Sequence, residues 1–223
     1  MQNRIGRFGM PLLLVLGSTT LIWPWGPPVK GPKIKLIATR PFYEQCMTNW
    51  CWAAAGEMAM ASFGIRHPQC EQVQCIRGPK PQCCTCAEGQ CSPSVNCGGC
   101  DSSWKPVIDR YGFRFELTGV LSFPQLVHEF DADRPVVFSW LWQPAEHPKS
   151  LEHYMVAVGY AVIMDQEYVF VHDPERRRRM LTYQRYKEDR KYEHDLDMSC
   201  IRVADATADC VPPFGPANCV PPL

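Results

Sequence analysis

The sequence has no surplus of either charge: 23 lysines and arginines balance 23 aspartates and glutamates. That balance leaves no long-range attraction for nucleic acid or for an anionic membrane surface, so a partner is selected by local shape and chemistry. Long apolar runs are scarce as well. The longest, Met10 to Leu16 followed by Leu21 to Trp23, is interrupted by Gly17-Ser18-Thr19-Thr20 and is too short for a comfortable membrane span. With Arg4 and Arg7 ahead of it, the first 25 residues are expected to be a signal peptide or, failing cleavage, an N-terminal anchor, although no clean A-x-A cleavage site is present. There is no internal repeat. Between Cys70 and Cys100 large aliphatic residues are nearly missing, so this stretch cannot bury a core of its own and must be held by cross-links.

What is present is an ordinary globular composition, 46% hydrophobic and 21% charged over 223 residues, enough for one catalytic domain over residues 26–223. Thirteen cysteines would be a hazard in a reducing cytosol, and they point to a secreted or periplasmic location. Thirteen is also odd. Twelve can pair, which leaves one candidate free thiol.

The clearest helix is predicted over Asn49 to Phe63, with three consecutive alanines and then Met58-Ala59-Met60-Ala61, Asn49 placed to cap and Gly64 placed to terminate. It is apolar nearly all round, with Glu57 the only interruption, and should be buried. Lys33 to Ala38 reads as a short strand. Trp104 to Tyr111 and Phe123 to Phe130 have helical spacing, the latter with Ser122 as cap ahead of Pro124. Pro135 to Trp142 reads as a buried strand, His153 to Tyr160 alternates as a strand, and Tyr168 to His172 follows as another after the polar Asp165, Gln166 and Glu167. The segment from Asp173-Pro174 to Asp197 is charged, and the tail from Cys210 is proline-rich.

Cysteine attacks acyl carbons as the thiolate, whose formation is favoured beside a helix N-terminus and an imidazolium; such sites lower a free pKa of about 8.5 to roughly 3.5–7.5. Cys51 sits in the first turn of the best helix, where unpaired backbone N–H groups favour a negative sulfur, while the other twelve cysteines fall in loops, turn-rich segments or the tail. Position alone leaves Cys51 equally open to a small buried core role. The run Gln45-Cys46-Met47-Thr48-Asn49-Trp50-Cys51-Trp52-Ala53-Ala54 resembles the active-site segment of papain-like cysteine peptidases, most closely the bacterial branch of AvrRpt2-like and bacteriocin-processing (C39-like) peptidases. The resemblance implies an α+β papain-like fold, in which a central helix carrying the nucleophile packs on an antiparallel sheet. It also implies that Gln45, six residues before Cys51, donates its carboxamide to an oxyanion hole with the Cys51 backbone N–H as second donor.

Six histidines compete for the role of base. His67, His128, His147 and His194 lie at a segment edge, on a helix face, in a Pro-rich loop and in a charged stretch, and read as surface or satisfied residues. His153 opens the apolar run Glu152-His153-Tyr154-Met155-Val156-Ala157-Val158-Gly159-Tyr160, which resembles the family's histidine strand running into Gly-Tyr. The third member in that family branch is an aspartate or asparagine ending the next strand, and Val169-Phe170-Val171-His172-Asp173-Pro174 matches it with Asp173. Register is left open: a hairpin tip near Ile163 sets His153 opposite Asp173, whereas a tip between Asp165 and Gln166 offsets them by about five positions and breaks contact. His172 competes with His153 but alternates with Asp173 across the strand.

Cys83-x-x-Cys86 and Cys97-x-x-Cys100 have the spacing of zinc knuckles, but export favours disulfides, and no metal or cofactor is expected. If the eight cysteines from Cys70 to Cys100 pair among themselves, Cys46, Cys200, Cys210 and Cys219 form two more bonds and Cys51 stays free. The run Glu175-Arg176-Arg177-Arg178-Arg179 reads as a solvated strand edge or loop. The expectation is therefore a secreted cysteine peptidase acting on a peptide or protein through Cys51, His153, Asp173 and Gln45, without nucleic acid and without a membrane beyond the possible anchor. Two rivals remain: a transglutaminase or deamidase using the same residues, and a non-catalytic disulfide-rich binding module in which Cys51 is bonded or buried.

Overall fold

The computed structural model describes residues 31–78, 84–87, 90–93, 105–142, 152–175, 177–189 and 191–204; the side chains of 84–87, 90–93 and Trp142 are not among those described. The proposed targeting segment, Cys83, Cys97 and Cys100 of the zinc-like knuckles, His147, Cys210 and Cys219 lie outside the described residues.

In chain order the strands are β1 (Lys33–Leu36), β2 (Cys84–Ala87), β3 (Gln90–Pro93), β4 (Phe113–Thr118), β5 (Val136–Trp142), β6 (Glu152–Ile163), β7 (Gln166–Asp173), β8 (Arg177–Thr182), β9 (Glu188–Asp189) and β10 (Tyr192–Val203). The helices are α1 (Cys51–Ala61), α2 (Gln69–Arg77), α3 (Phe123–Asp131) and the short α4 (Tyr183–Lys187). One antiparallel sheet runs in the order β4-β10-β5-β6-β7-β8, with β1 added to β6 and β9 to β10. The fold class is α+β, as the sequence implied.

The long strand β6 organises the sheet. Along one edge, Glu152 to Ala157 pair with β5, and Gly159 to Val162 then pair with β1. Along the other edge it forms a hairpin with β7 whose two turn residues, Met164 and Asp165, both have positive φ (50° and 60°). Two such residues give the tight turn whose twist matches the flanking strands. Between Ala157 and Gly159 the β6–β7 register slips: Ala157 faces Val171 and Gly159 faces Phe170, leaving Val158 as an extra residue in a bulge.

Every residue of α1 is buried, and the helix packs on β6 and β5. Its alanines allow that close approach, while Trp50, Trp52, Met58 and Met60 fill the space around it. Gly56 does the same for α2, since a Cβ there would collide with the Gln72 carboxamide. That carboxamide pins the two helices by donating to the carbonyls of Ala53 and His67, both at 2.9 Å. The α3 N-terminus is as expected: Ser122 and Gln125 form a capping box with Pro124 in the first turn.

Several expectations need correction. The helix α1 begins at Cys51 with Trp50 as its cap residue; Asn49 instead takes a left-handed conformation (φ 63°) and turns the chain into the helix. Gly64 (φ 79°) lies beyond the last turn and donates to the Ala61 carbonyl at 3.0 Å. Of the predicted helix Trp104 to Tyr111, Ile108–Tyr111 is the only helical part among the described residues, as a 3-10 turn closed by left-handed Gly112. The start of the cysteine-rich stretch is not a loop but α2, which buries Cys70 and Val73 in the core. The charged segment after Asp173 contains the first half of β10, an interior strand of the sheet. Its polar residues are satisfied internally: Asp197 accepts from Leu121 N at 2.6 Å, from His194 Nε2 at 3.1 Å and from the Tyr186 hydroxyl.

Cysteine bookkeeping also changes. Cys46 is an exposed free thiol, not half of a disulfide; its loop is tied to Gln69, and its sulfur sits in the field of Glu57 and Arg66. Cys70, Cys75 and Cys200 are disulfide-bonded, and they stand on α2 and β10 rather than in loops.

Candidate active site

Cys51 is the first residue of α1, so its backbone N–H is one of those a helix start leaves without an intrahelical acceptor. The thiol is free and largely buried, 7% exposed, and donates to the Glu152 carbonyl at 3.8 Å. That contact places the sulfur at the mouth of β6, one residue before His153.

His153 Nε2 donates to Asp173 Oδ1 across 2.8 Å. The hairpin tip lies at Met164-Asp165, between the two alternatives that the sequence left open. Unbroken pairing from that tip would set Asp173 opposite Val156, on the face away from His153. The extra residue Val158 shifts the pairing by one, so that His172 faces Val156 and Asp173 falls opposite Met155. Met155 and His153 share a face, and a diagonal neighbour at that spacing is within reach of an imidazole and a carboxylate. The bulge therefore creates the contact. It is held open by Gly159, where a Cβ would lie 2.8 Å from Leu36 Cδ2, 2.9 Å from Leu36 Cα and nearer still to the Lys35 carbonyl.

Asp173 is 1% exposed and its carboxylate is well compensated. Besides His153 it takes the Glu175 backbone N–H at 3.1 Å on Oδ1 and Arg179 Nη1 at 2.8 Å on Oδ2. Burial pushes its pKa up, but the His153 hydrogen bond and charge, with Arg179 and the Glu175 N–H, outweigh that and hold it at about 2. Burial alone would push the His153 pKa down. The hydrogen bonds and fields of Asp173 and Cys51 overcome that penalty and raise it to about 10, so the imidazole holds its proton beside the sulfur. With Nε2 committed to Asp173, Nδ1 is the nitrogen left for the sulfur.

His172 points the other way. Its Nδ1 donates to the Pro41 carbonyl at 2.9 Å, and burial, aided by the charges of Arg178 and Arg40, holds its pKa down at about 4, so it is a neutral structural residue. His194 is buried and satisfied by Asp197 and the Tyr186 carbonyl, and His67 stacks on Tyr111.

Gln45 is positioned by its backbone. Its N–H donates to the Pro174 carbonyl at 3.2 Å, which couples the segment before Cys51 to the residue after Asp173. The side-chain Oε1 is buried with no hydrogen-bond partner among the described residues. The neighbours on both sides are held by Gln69, whose Oε1 accepts from Cys46 N at 2.8 Å and whose Nε2 donates to the Glu44 carbonyl at 2.9 Å. Gln69 is itself held by Glu57, the one charged residue of α1, which also pairs with Arg66 at 2.8 Å.

Two residues at this site were not anticipated. Arg179 was one of four arginines in a row read as solvated, and only its register opposite Val171 on β8 singles it out. Gln69 stood at the edge of a cysteine-rich stretch with no local signal, and only its burial in the structure singles it out. No group of His, Cys, Asp and Glu able to hold a metal ion occurs among the described residues.

A family model described as the Peptidase_C39 like family matches residues 37–197, more than half of the chain and a span that contains all four sequence-predicted site residues. No curated protein matches the chain.

Proposed function

The chain belongs to the Peptidase_C39 like family, and from that premise we propose that it is an exported cysteine peptidase that hydrolyses peptide bonds through an acyl-enzyme on Cys51. The observation that carries this reading is the His153–Asp173 hydrogen bond of 2.8 Å beside a free thiol at a helix start.

In the proposed cycle the Cys51 thiolate adds to the scissile carbonyl carbon while the imidazolium of His153 stands at its side. The oxygen that becomes negative is met by the Cys51 backbone N–H and the Gln45 carboxamide, an arrangement in which losing one donor typically costs about 3 kcal/mol of barrier. His153 Nδ1–H protonates the leaving amine, and the C–N bond breaks. The now neutral imidazole then takes a proton from water, which attacks the thioester and returns the thiolate. Asp173 keeps the ring oriented through Nε2 and stabilises its charged form, as the third member of such triads does. Arg179 in turn keeps Asp173 ionised and in place.

Export is part of the proposal, supported by the disulfide-bonded Cys70, Cys75 and Cys200. Of the binding-module rival, the form with Cys51 disulfide-bonded does not fit its free thiol, and the form with Cys51 buried predicts no cleavage at all. The test is a peptide library incubated with the full chain, with and without an added primary amine. Chain cleavage that disappears in Cys51→Ser supports a peptidase. Amine incorporation or glutamine deamidation without cleavage would overturn it in favour of transfer chemistry.

A further inference from the structure

The arginine run is the one motif that the catalytic reading uses only in part. Its described members diverge: Arg177 pairs with Glu44 at 3.6 Å, Arg179 with Asp173, and Arg178 lies over the Phe42 ring at 5.6 Å. Arg178 borders a cavity of about 380 Å³, whose wall also includes Arg40, Leu36, Val158, Phe170 and Arg179, the last already committed to Asp173. The catalytic reading gives this cavity no role. Val158, the extra residue of the bulge, forms part of its wall.

We propose that this cavity binds a carboxylate carrying an apolar substituent, with Arg40 and Arg178 as the charge partners and Leu36, Val158 and Phe170 as the apolar wall. The nearby acids are already committed, Glu44 to Arg177 and Asp173 to His153 and Arg179. No carboxylate among the described residues pairs with Arg40 or Arg178. Arg40 uses Nη1 on the carbonyls of Ile37 and Ala38, at 2.9 and 3.4 Å, which fixes its guanidinium while leaving its other N–H groups available. Two guanidiniums whose field is not cancelled locally present planar donors suited to a carboxylate. Their field is felt inside the cavity wall, where His172 is kept neutral first by burial and then by Arg178 and Arg40. The apolar half of the lining selects for an attached hydrocarbon over a bare inorganic anion, and a cavity of this size suits one small side chain or acid. The inference goes beyond the peptidase reading and does not depend on it.

Calorimetric titration of the full chain with hexanoate, hexanamide, sulfate and the blocked peptides acetyl-Leu-Glu-Leu-amide and acetyl-Leu-Gln-Leu-amide tests it. Hexanoate or the glutamate peptide should bind, and which of them binds identifies the source as a free acid or a protein segment. The amide and the glutamine peptide should not bind. Arg40→Gln and Arg178→Gln should each weaken binding by about tenfold, the loss of one charged hydrogen-bond partner. Bound carboxylate should also move the His172 imidazole titration, followed by NMR, to higher pH. Binding of hexanamide equal to that of hexanoate, sulfate binding as well as hexanoate, absence of binding by both carboxylates, or unchanged affinity in Arg178→Gln would overturn the proposal. Unchanged alkylation of Cys51 marks each variant as folded, and Arg178→Gln alone decides if Arg40→Gln is not.

Discussion

Gly159→Ala probes the device that brings His153 to Asp173. The added methyl would meet Leu36 Cα at 2.9 Å and the Lys35 carbonyl closer still, and both are backbone atoms that no rotamer change can move aside. To restore ordinary contact, β1 must retreat by roughly 1 Å, an overpacking cost of about 1–3 kcal/mol. The retreat also strains the hydrogen bond from Ile37 N to the Val158 carbonyl, 3.0 Å long, which contributes about 1 kcal/mol. A loss of about 2–4 kcal/mol is expected, read as a lower midpoint in urea with unchanged slope. Because the bulge also sets which face Asp173 occupies, peptide cleavage should fall more than stability does, with residual protein still folded at the assay temperature. A variant within about 0.5 kcal/mol of the parent and equally active would refute the reasoning that the close approach of β1 to β6 holds the register.

The remaining tests address the groups around that register. In Asp173→Asn the imidazole loses its carboxylate, so the His153 midpoint, raised to about 10 from an ordinary 6.5, should fall; NMR titration of the ring reads it directly. The sign for stability follows: the raised His153 contributes fully below pH 6.5 and loses its contribution as pH rises through about 10, so the variant's alkaline unfolding limb should begin earlier. Arg179→Gln acts at the other end. Asp173, held at about 2 against an ordinary 3.8, contributes stability above pH 3.8 that is lost as pH falls through about 2, and without Arg179 that acid limb should shift to higher pH in equilibrium unfolding. Gln45→Ala should lower kcat by about 100-fold or more, the cost of one oxyanion donor, while leaving alkylation of Cys51 unchanged because the thiol and imidazole are untouched.

The candidate residues were easier to pick out than the scaffold that positions them. Gln45, Cys51, His153 and Asp173 could be picked out because each stands in a short segment whose residues resemble a known pattern, and two such segments occurred in order. Their contact could not be read. It depends on one bulge residue, Val158, which looks like any other member of an apolar strand, and on a hairpin tip that falls between the two alternatives considered. The strand β10 escaped because its buried face carries His194, Asp197 and Ser199, polar residues paid for by partners far along the chain such as Leu121 N. The helix α2 escaped because its buried face carries Gln69, Cys70 and Gln72 with Val73 alone as a large apolar residue, which leaves too few apolar positions for a helical period. Cys46 was assigned to a disulfide by parity, whereas its place is fixed by the bond from its own N–H to Gln69.

The central claim, that His153 and Asp173 make Cys51 a nucleophile, has an internal control in Cys46. That thiol is exposed, yet burial of its sulfur and the charge of Glu57 push its pKa up, so it should resist alkylation near neutrality. Iodoacetamide labelling at pH 6, followed by peptide mass mapping, measures both cysteines in one molecule. The account predicts that the buried Cys51 is labelled quickly and the exposed Cys46 hardly at all, and that His153→Ala abolishes the difference. Labelling of Cys51 no faster than that of Cys46, or a rate indifferent to His153, would contradict it.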